Sequence, residues 1–205
     1  MLPADAPGAI DSAVEAIEAG QLVGVPTETV YGLACALTDE ALARLMRAKG
    51  RPEGKAITLL VDSLEQVRAL AELPAAAERL AERFWPGPLT LVLPLRKSAD
   101  LPGAVVGSGS DGRPTAGFRL PDHAVPRALA ARLGPLPLTS ANLSGQPDSL
   151  DAGNLAAILG SAVAIVLDSG RVPGGVPSTV AFVSETGEIS ILREGALGPA
   201  ALSDA

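Results

Sequence analysis

The chain has 205 residues, enough for one large domain or two small ones, and its 23 Asp+Glu against 16 Lys+Arg give a formal charge of −7. That acidity argues against broad, sequence-independent nucleic-acid binding, which needs an extended cationic face. The single Cys35 excludes an internal disulfide and a cysteine-rich zinc site, and a catalytic triad would have to use the only histidine, His123, with no Gly-x-Ser-x-Gly elbow beside it.

Hydrophobic residues make up 47% of the chain but aromatics only 2%, so the core must be built from Ala, Val, Leu and Ile. No apolar run approaches the length of a membrane span, and Met1 is not followed by a leader-like segment. A soluble, cytoplasmic protein is expected. Gly (22) and Pro (18) are scattered, which points to many tight turns between short elements.

In chain order, Ile10 to Ala19 has helical apolar spacing and stops at Gly20. Strands are expected at Gln21 to Pro26 and Tyr31 to Leu37. Thr38-Asp39-Glu40 supplies an N-cap and first-turn acids for a helix through Lys49, stopped by Gly50 and Pro52. Ala56 to Val61 reads as a strand, and Ser63 with Gln66 as a capping box for the next helix. A helix over Pro74 to Trp85 precedes strands at Leu89 to Leu95 and Ala116 to Leu120. Gly107 to Gly112 between them reads as a mobile loop. Ala124 to Leu133 is a helix, Leu136 to Thr139 a strand, and Leu150 to Leu159 a helix. Strands at Val163 to Leu167, Thr179 to Val183 and Ile189 to Leu192 complete the chain. Several strands follow one another directly, so a mixed, open twisted α/β sheet flanked by helices is expected.

Five cations (Arg44, Arg47, Lys49, Arg51, Lys55) and one acid (Glu53) fall within twelve residues. A solvated helix end, favoured by the macrodipole, accounts for Arg44 and Arg47. Arg51 and Lys55 lie beyond the helix stop. With Lys49 they point to a bound anion, since Arg grips phosphate bidentately and Lys adds a mobile charge. Ser140-Ala141-Asn142-Leu143-Ser144-Gly145 follows an apolar strand and offers hydroxyls, an amide and backbone N–H groups to a phosphate or ribose; its alternative is an Asn/Ser turn. Thr27, Thr29 and Tyr31 follow the first strand and can orient a ligand through neutral hydrogen bonds, or form a Thr-rich turn with Tyr31 half in the core. Arg119, at a strand end, suits a carboxylate ligand or an ion pair with Asp122. Ser178-Thr179 and Arg193 add hydroxyls and a cation at other strand ends.

Seven segments in order carry a family resemblance: Pro26–Leu33, Lys49–Pro52, Trp85–Thr90, Arg119–His123, Ser140–Gly145, Ser178–Val180 and Leu192–Gly195. Over roughly residues 10 to 198 the chain resembles the YrdC-type threonylcarbamoyl-AMP synthases, with the Lys-x-Arg and Ser-x-Asn signatures intact as Lys49, Arg51, Ser140 and Asn142. Ala56 stands where a proline is common, and Gly107 to Arg113 is irregular for the family. The resemblance implies a single YrdC-like domain over residues 1–205 with a concave, positively charged cavity. It implies a nucleotidyltransferase that converts L-threonine, bicarbonate and ATP, with Mg²⁺ carried by the ATP and no metal held by the protein, into threonylcarbamoyl-AMP and pyrophosphate. Lys49 and Arg51 would be catalytic. They would bind ATP with Thr115, Ser140, Asn142, Ser144 and Arg193. Thr27, Tyr31, Arg119 and Ser178 would bind threonine. Separate transferase proteins would carry the product's threonylcarbamoyl group to tRNA, which this chain would bind weakly if at all. The rival readings are a paralogue of the same fold without this activity and a double-stranded RNA-binding module.

Overall fold

The structure, a computed structural model, describes residues 1–50, 54–110, 112–143, 145–173 and 176–203. Along the chain these form β1 (Leu2–Pro3), α1 (Ala9–Glu18), β2 (Val23–Val25), β3 (Gly32–Ala34), α2 (Asp39–Lys49), β4 (Thr58–Leu60), α3 (Leu64–Leu70) and α4 (Ala75–Phe84). The second half adds β5 (Leu89–Pro94), β6 (Gly107–Ser108), β7 (Pro114–Arg119), α5 (Ala124–Leu133), β8 (Leu136–Ser140), α6 (Ala152–Leu159), β9 (Ile165–Asp168), β10 (Thr179–Val183), β11 (Ile189–Arg193) and α7 (Pro199–Ser203).

Local chemistry sets the helix ends. Thr38 Oγ1 accepts from the Ala41 N–H, and Gly50, at φ +57°, closes α2 by donating to Met46 and Arg47 carbonyls. Only glycine takes that left-handed conformation without steric cost. Half of the expected capping box forms. Ser63 Oγ accepts from Gln66 N, but Gln66 Oε1 takes the Asp62 N–H, and its Nε2 donates 2.9 Å to the Ala130 carbonyl of α5. The helix expected from Leu150 begins at Ala152, because Asp151 accepts from Asn154 N as the N-cap. Gly107 and Ser108, expected in a loop, pair with Thr115 and Pro114 as β6. The short β1 and α7 lack the periodicity that a sequence reading needs.

The sheet is mixed, in the order β1-β9-β2-β3-β8-β4-β7-β5-β10-β11, with β6 on β7. Consecutive residues of one strand belong to different cores: Leu33 and Leu59 to one, Ala34 and Leu60 to the other. Period-two alternation therefore buries both faces. One core takes Leu42 and Leu45 of α2, Leu80 of α4 and Leu155 of α6. The other takes Ile17 of α1 and Leu129 of α5.

Register delivers polar residues to neighbouring strand ends. Gly32 of β3 faces Ser140 of β8, Leu60 of β4 faces Arg119 of β7, and Val180 of β10 faces both Thr90 of β5 and Arg193 of β11. Gly32 also makes room for a buried neighbour: a Cβ there would lie 2.4 Å from Leu138 Cδ2 and 2.7 Å from its Cγ. Gly32→Ala is expected to lower unfolding stability by about 1–3 kcal/mol through overpacking, as measured by urea denaturation. An unchanged midpoint would show that Leu138 repacks freely.

His123 caps α5, its Nδ1 accepting 3.2 Å from the Val125 N–H. Burial holds its pKa below the ordinary histidine value, against the opposing pull of Glu28 and Asp122. The unfolded chain therefore takes up this proton at higher pH than the folded one. The stability that neutral His123 contributes is complete above its unfolded pKa and lost as pH falls through the depressed folded value. Lowering pH from about 7.5 to about 5.5 should reduce the melting temperature more in the wild type than in His123→Asn, which caps without titrating. Equal shifts would contradict this.

Candidate active site

The strand ends surround a cavity of about 700 Å³. Its walls come from the turn after β2 (Thr27, Thr29, Val30), the approach to β4 (Gly54 to Thr58), β7 (Thr115 to Gly117, Arg119), the end of β8 (Leu138 to Ser140) and the β10–β11 pair (Ser178, Val180, Leu192, Arg193). Among the described lining residues, Lys55, Arg119 and Arg193 are cationic and Asp148 is the carboxylate. An otherwise acidic chain thus turns cations towards one concavity, a site that suits an anion.

Lys49 ends α2 and is 3% exposed. Its Nζ donates to the Ser140 carbonyl and lies 3.4 Å from both Thr139 Oγ1 and Ser140 Oγ. The ammonium expected to meet a bound anion is instead packed under the β8 terminus. Ser140 Oγ in turn donates to Asn142 Oδ1, and Asn142 Nδ2 donates to the Gln146 carbonyl, so Asn142 shapes the loop from inside. Ser144 of that loop, and Arg51, Pro52 and Glu53 after α2, lie outside the described residues.

Thr27 is 1% exposed, and its hydroxyl donates 2.7 Å to the Val30 carbonyl while the Thr29 and Val30 N–H groups approach it at 3.2 Å. Thr29 Oγ1 lies 3.0 Å from Thr27 Oγ1. Thr27 lines the cavity, yet its hydroxyl is engaged in building the turn. Arg119, 6% exposed, reaches this turn: Nη2 donates to Glu28 Oε1 at 2.6 Å and to Thr29 Oγ1 at 3.2 Å, and Nε to the Gly87 carbonyl at 3.3 Å. Asp122, the nearby candidate partner, is exposed and is not the one used.

Arg193 Nη2 donates to the Ser178 carbonyl at 2.6 Å and to Ser178 Oγ at 3.2 Å, and Ser178 Oγ lies 2.9 Å from Thr90 Oγ1. Ser178 and Arg193, assigned to different ligands by the family resemblance, are direct neighbours. Burial lowers the Arg193 pKa; Arg119 adds to that effect, and Asp148 opposes it. Close backbone packing holds this corner, since a Cβ on Gly195 would sit 2.3 Å from the Pro177 carbonyl oxygen and 2.5 Å from Thr179 N. Thr115 is buried on the β7 wall.

Tyr31 does not line the cavity. It is fully buried, its phenol donating 2.7 Å to the Gly170 carbonyl and accepting from Ser169 N at 3.1 Å, so it ties the turn to the segment after β9. Burial raises its pKa. Cys35 is buried as well, and burial pushes its thiol up to about 12, so it stays protonated. Arg44 and Arg47 border a separate surface depression, with Arg44 Nη1 donating 2.6 Å to the Gly20 carbonyl. No cluster of three potential metal ligands occurs among the described residues.

Glu28, Thr90 and Asp148 were absent from the sequence-based site. Glu28 sits inside the Thr27–Tyr31 segment but meets Arg119 across 91 positions, which no local spacing reveals. Lys49→Ala should cost about 1–3 kcal/mol of unfolding stability, because half-buried acceptors at Thr139 and Ser140 lose a charged donor. Urea denaturation measures this. An unchanged midpoint would mean that the helix end and β8 are not coupled through the ammonium.

Residues 15–195 match the Sua5/YciO/YrdC family model, described as "Telomere recombination". The chain is 41% identical over 184 residues to the threonylcarbamoyl-AMP synthase of Pyrococcus abyssi, covering 88% of this chain and 52% of that protein. It is 36% identical over 195 residues to the human threonylcarbamoyl-AMP synthase, covering 91% and 67%. The structure of P. abyssi Sua5 complexed with L-threonine superposes with a TM-score of 0.85 at 37% identity, over 96% of this chain and 56% of that one. The chain thus spans about half the length of the P. abyssi relative. Match length, identity and shared architecture agree: the chain belongs to the Sua5/YciO/YrdC family.

Proposed function

We propose that this protein is a nucleotidyltransferase that makes threonylcarbamoyl-AMP and pyrophosphate from L-threonine, bicarbonate and ATP. The product would serve tRNA threonylcarbamoyladenosine formation through separate transferase proteins, with any tRNA contact by this chain weak. The observation that carries the reading is the arrangement of one cavity: Arg119 and Arg193 stand at a hydroxyl-rich end, and the Ser140 terminus over Lys49 forms another wall. Two anionic substrates need two such places. The names of the P. abyssi and human relatives, and L-threonine in the P. abyssi complex, support the assignment.

Threonine and bicarbonate condense with loss of water to a carbamate, whose oxygen forms a bond to the α-phosphorus as the bond to pyrophosphate breaks. Both partners are anionic, so the chain's task is to position them and offset their repulsion. Arg119 would take the threonine carboxylate, with Ser178 beside it and Thr27 holding the turn. Arg193, bonded to Ser178, would stand where the two substrates meet. Thr115, Ser140 and the loop shaped by Asn142 would hold the nucleotide, with Lys49 keeping that wall in place. Roles for Arg51 and Ser144 at the phosphates rest on the family resemblance. With Asp148 the carboxylate among the described lining residues, the donor set fits Mg²⁺ brought by the triphosphate better than a protein-held ion. Such an ion neutralises phosphate charge and assists departure of pyrophosphate.

Product formation, followed by mass spectrometry of threonylcarbamoyl-AMP, is expected only when threonine, bicarbonate, ATP and Mg²⁺ are all present. An adenylate formed equally well without threonine would overturn the assignment in favour of a paralogue with another acceptor. Arg119→Ala should raise the threonine requirement about 30-fold or more, the cost of losing a charged partner in a partly buried site, with a smaller change for ATP. Equal changes for both substrates would remove Arg119 from the amino-acid end.

A further inference from the structure

Asp148 is the carboxylate among the described residues that line the cavity, and the reaction scheme above gives it no contact of its own. The other described charges in the lining are the cations Lys55, Arg119 and Arg193. The Arg119 charge is met by Glu28 in the turn after β2. No ion pair joins Asp148 to another described residue, although its charge favours the protonated form of Arg193. Asp148 is half-buried, and the chain is held on both sides of it. Before it, Gln146 N donates 3.0 Å to the Leu143 carbonyl, and the Gln146 carbonyl accepts from Asn142 Nδ2. After it, Ser149 is fully buried, its carbonyl accepting 2.9 Å from Tyr31 N and its hydroxyl donating 3.2 Å to Asn154 Oδ1. The carboxylate is therefore kept in the cavity wall, on the segment that continues from Ser140, rather than swinging on a loop tip. Held there, it repels any phosphate that enters. A cavity for a bare triphosphate gains nothing from such a charge. A cavity for a triphosphate that carries a divalent cation does, because Mg²⁺ is commonly bound through a carboxylate together with substrate phosphates and waters.

We propose that Asp148 selects the metal-bearing form of the nucleotide: it attracts the divalent cation carried by the triphosphate and disfavours the metal-free triphosphate. The inference rests on the ATP-dependent reading above. It goes further by giving a residue of this chain a share in recognising the substrate's metal. With the cation present, Asp148 and Arg193 act on different parts of one ligand, the carboxylate on the cation and the guanidinium on phosphate oxygens. Without the cation, both act on phosphate, with opposite sign. A ribose hydroxyl is the other group that an aspartate in a nucleotide cavity can accept from. That contact would be the same with and without the metal, so the metal dependence of binding separates the two roles.

The test is calorimetric binding of an ATP analogue with a methylene group between the α- and β-phosphorus, which blocks turnover, to the wild type and to Asp148→Asn. Each is titrated once with Mg²⁺ and once with EDTA. Asparagine keeps the size and an acceptor oxygen and removes the charge. The wild type should bind the analogue more tightly with Mg²⁺. In Asp148→Asn that advantage should shrink by about tenfold or more, a usual size for coupling between two sites, through weaker binding with Mg²⁺, tighter binding with EDTA, or both. Equal changes in the two conditions would overturn the proposal, leaving Asp148 to act on the ribose or on Arg193. Unchanged binding would overturn it too. Should Asp148→Asn fail to fold, Asp148→Ser must show the same loss; a full Mg²⁺ advantage in a folded Ser variant counts against the proposal. A wild type that binds the analogue equally well in both conditions overturns this inference alone. Binding in neither condition would defeat the functional reading, and this inference with it.

Discussion

The buried ammonium of Lys49 joins the last turn of α2 to the last residue of β8, where it meets the Ser140 carbonyl and the Thr139 and Ser140 hydroxyls. A lysine only 3% exposed is costly to desolvate, so it persists where several acceptors converge on it. Those acceptors sit at the end of a strand whose register is fixed on both sides, by β3 through Gly32↔Ser140 and by β4 through Thr58↔Leu138. Gly50 then turns the chain away with a left-handed residue.

The opposite wall works by a different balance. Arg119 is buried and Arg193 is exposed, yet the two are close enough to affect one another. Each is restrained by partners in the protein: Arg119 by Glu28, Thr29 and Gly87, Arg193 by Ser178. Restraint of this kind lowers the entropy lost when a ligand binds, because the guanidinium planes are already oriented. Electrostatic preorganisation suits the proposed reaction, whose difficulty is bringing two anions together. In the proposed reaction the engagement of His123 as a helix cap is no obstacle, because little proton transfer by side chains is required.

Features governed by neighbours in sequence were readable. The Thr38 cap, the Gly50 stop and the Thr179–Val183 strand follow from residues a few positions apart. The mixed sheet followed from consecutive strands without intervening helices. The order of those strands did not, because pairing of β10 with β5 or β9 with β2 is decided by packing across the chain. The same limit applies in the site. Lys49 looked free to meet an anion because its acceptors lie 90 and 91 residues away, and Tyr31 looked available because its partners lie 138 and 139 residues away. Arg119 was recognisable as a strand-end cation, but its partner Glu28 was hidden among threonines that drew attention as hydroxyls. Arg44 and Arg47 fulfilled the simpler expectation of a surface helix end.

In the proposed reaction one cavity holds the amino acid at Arg119 and the nucleotide on the wall formed by Thr115 and Ser140. A crystal structure of the protein with L-threonine and an unreactive ATP analogue tests it most directly. The threonine carboxylate should lie within hydrogen-bond distance of the Arg119 guanidinium, and the phosphates should lie beside the Ser140 loop. Threonine or nucleotide bound elsewhere, or the two ends exchanged, would contradict the account.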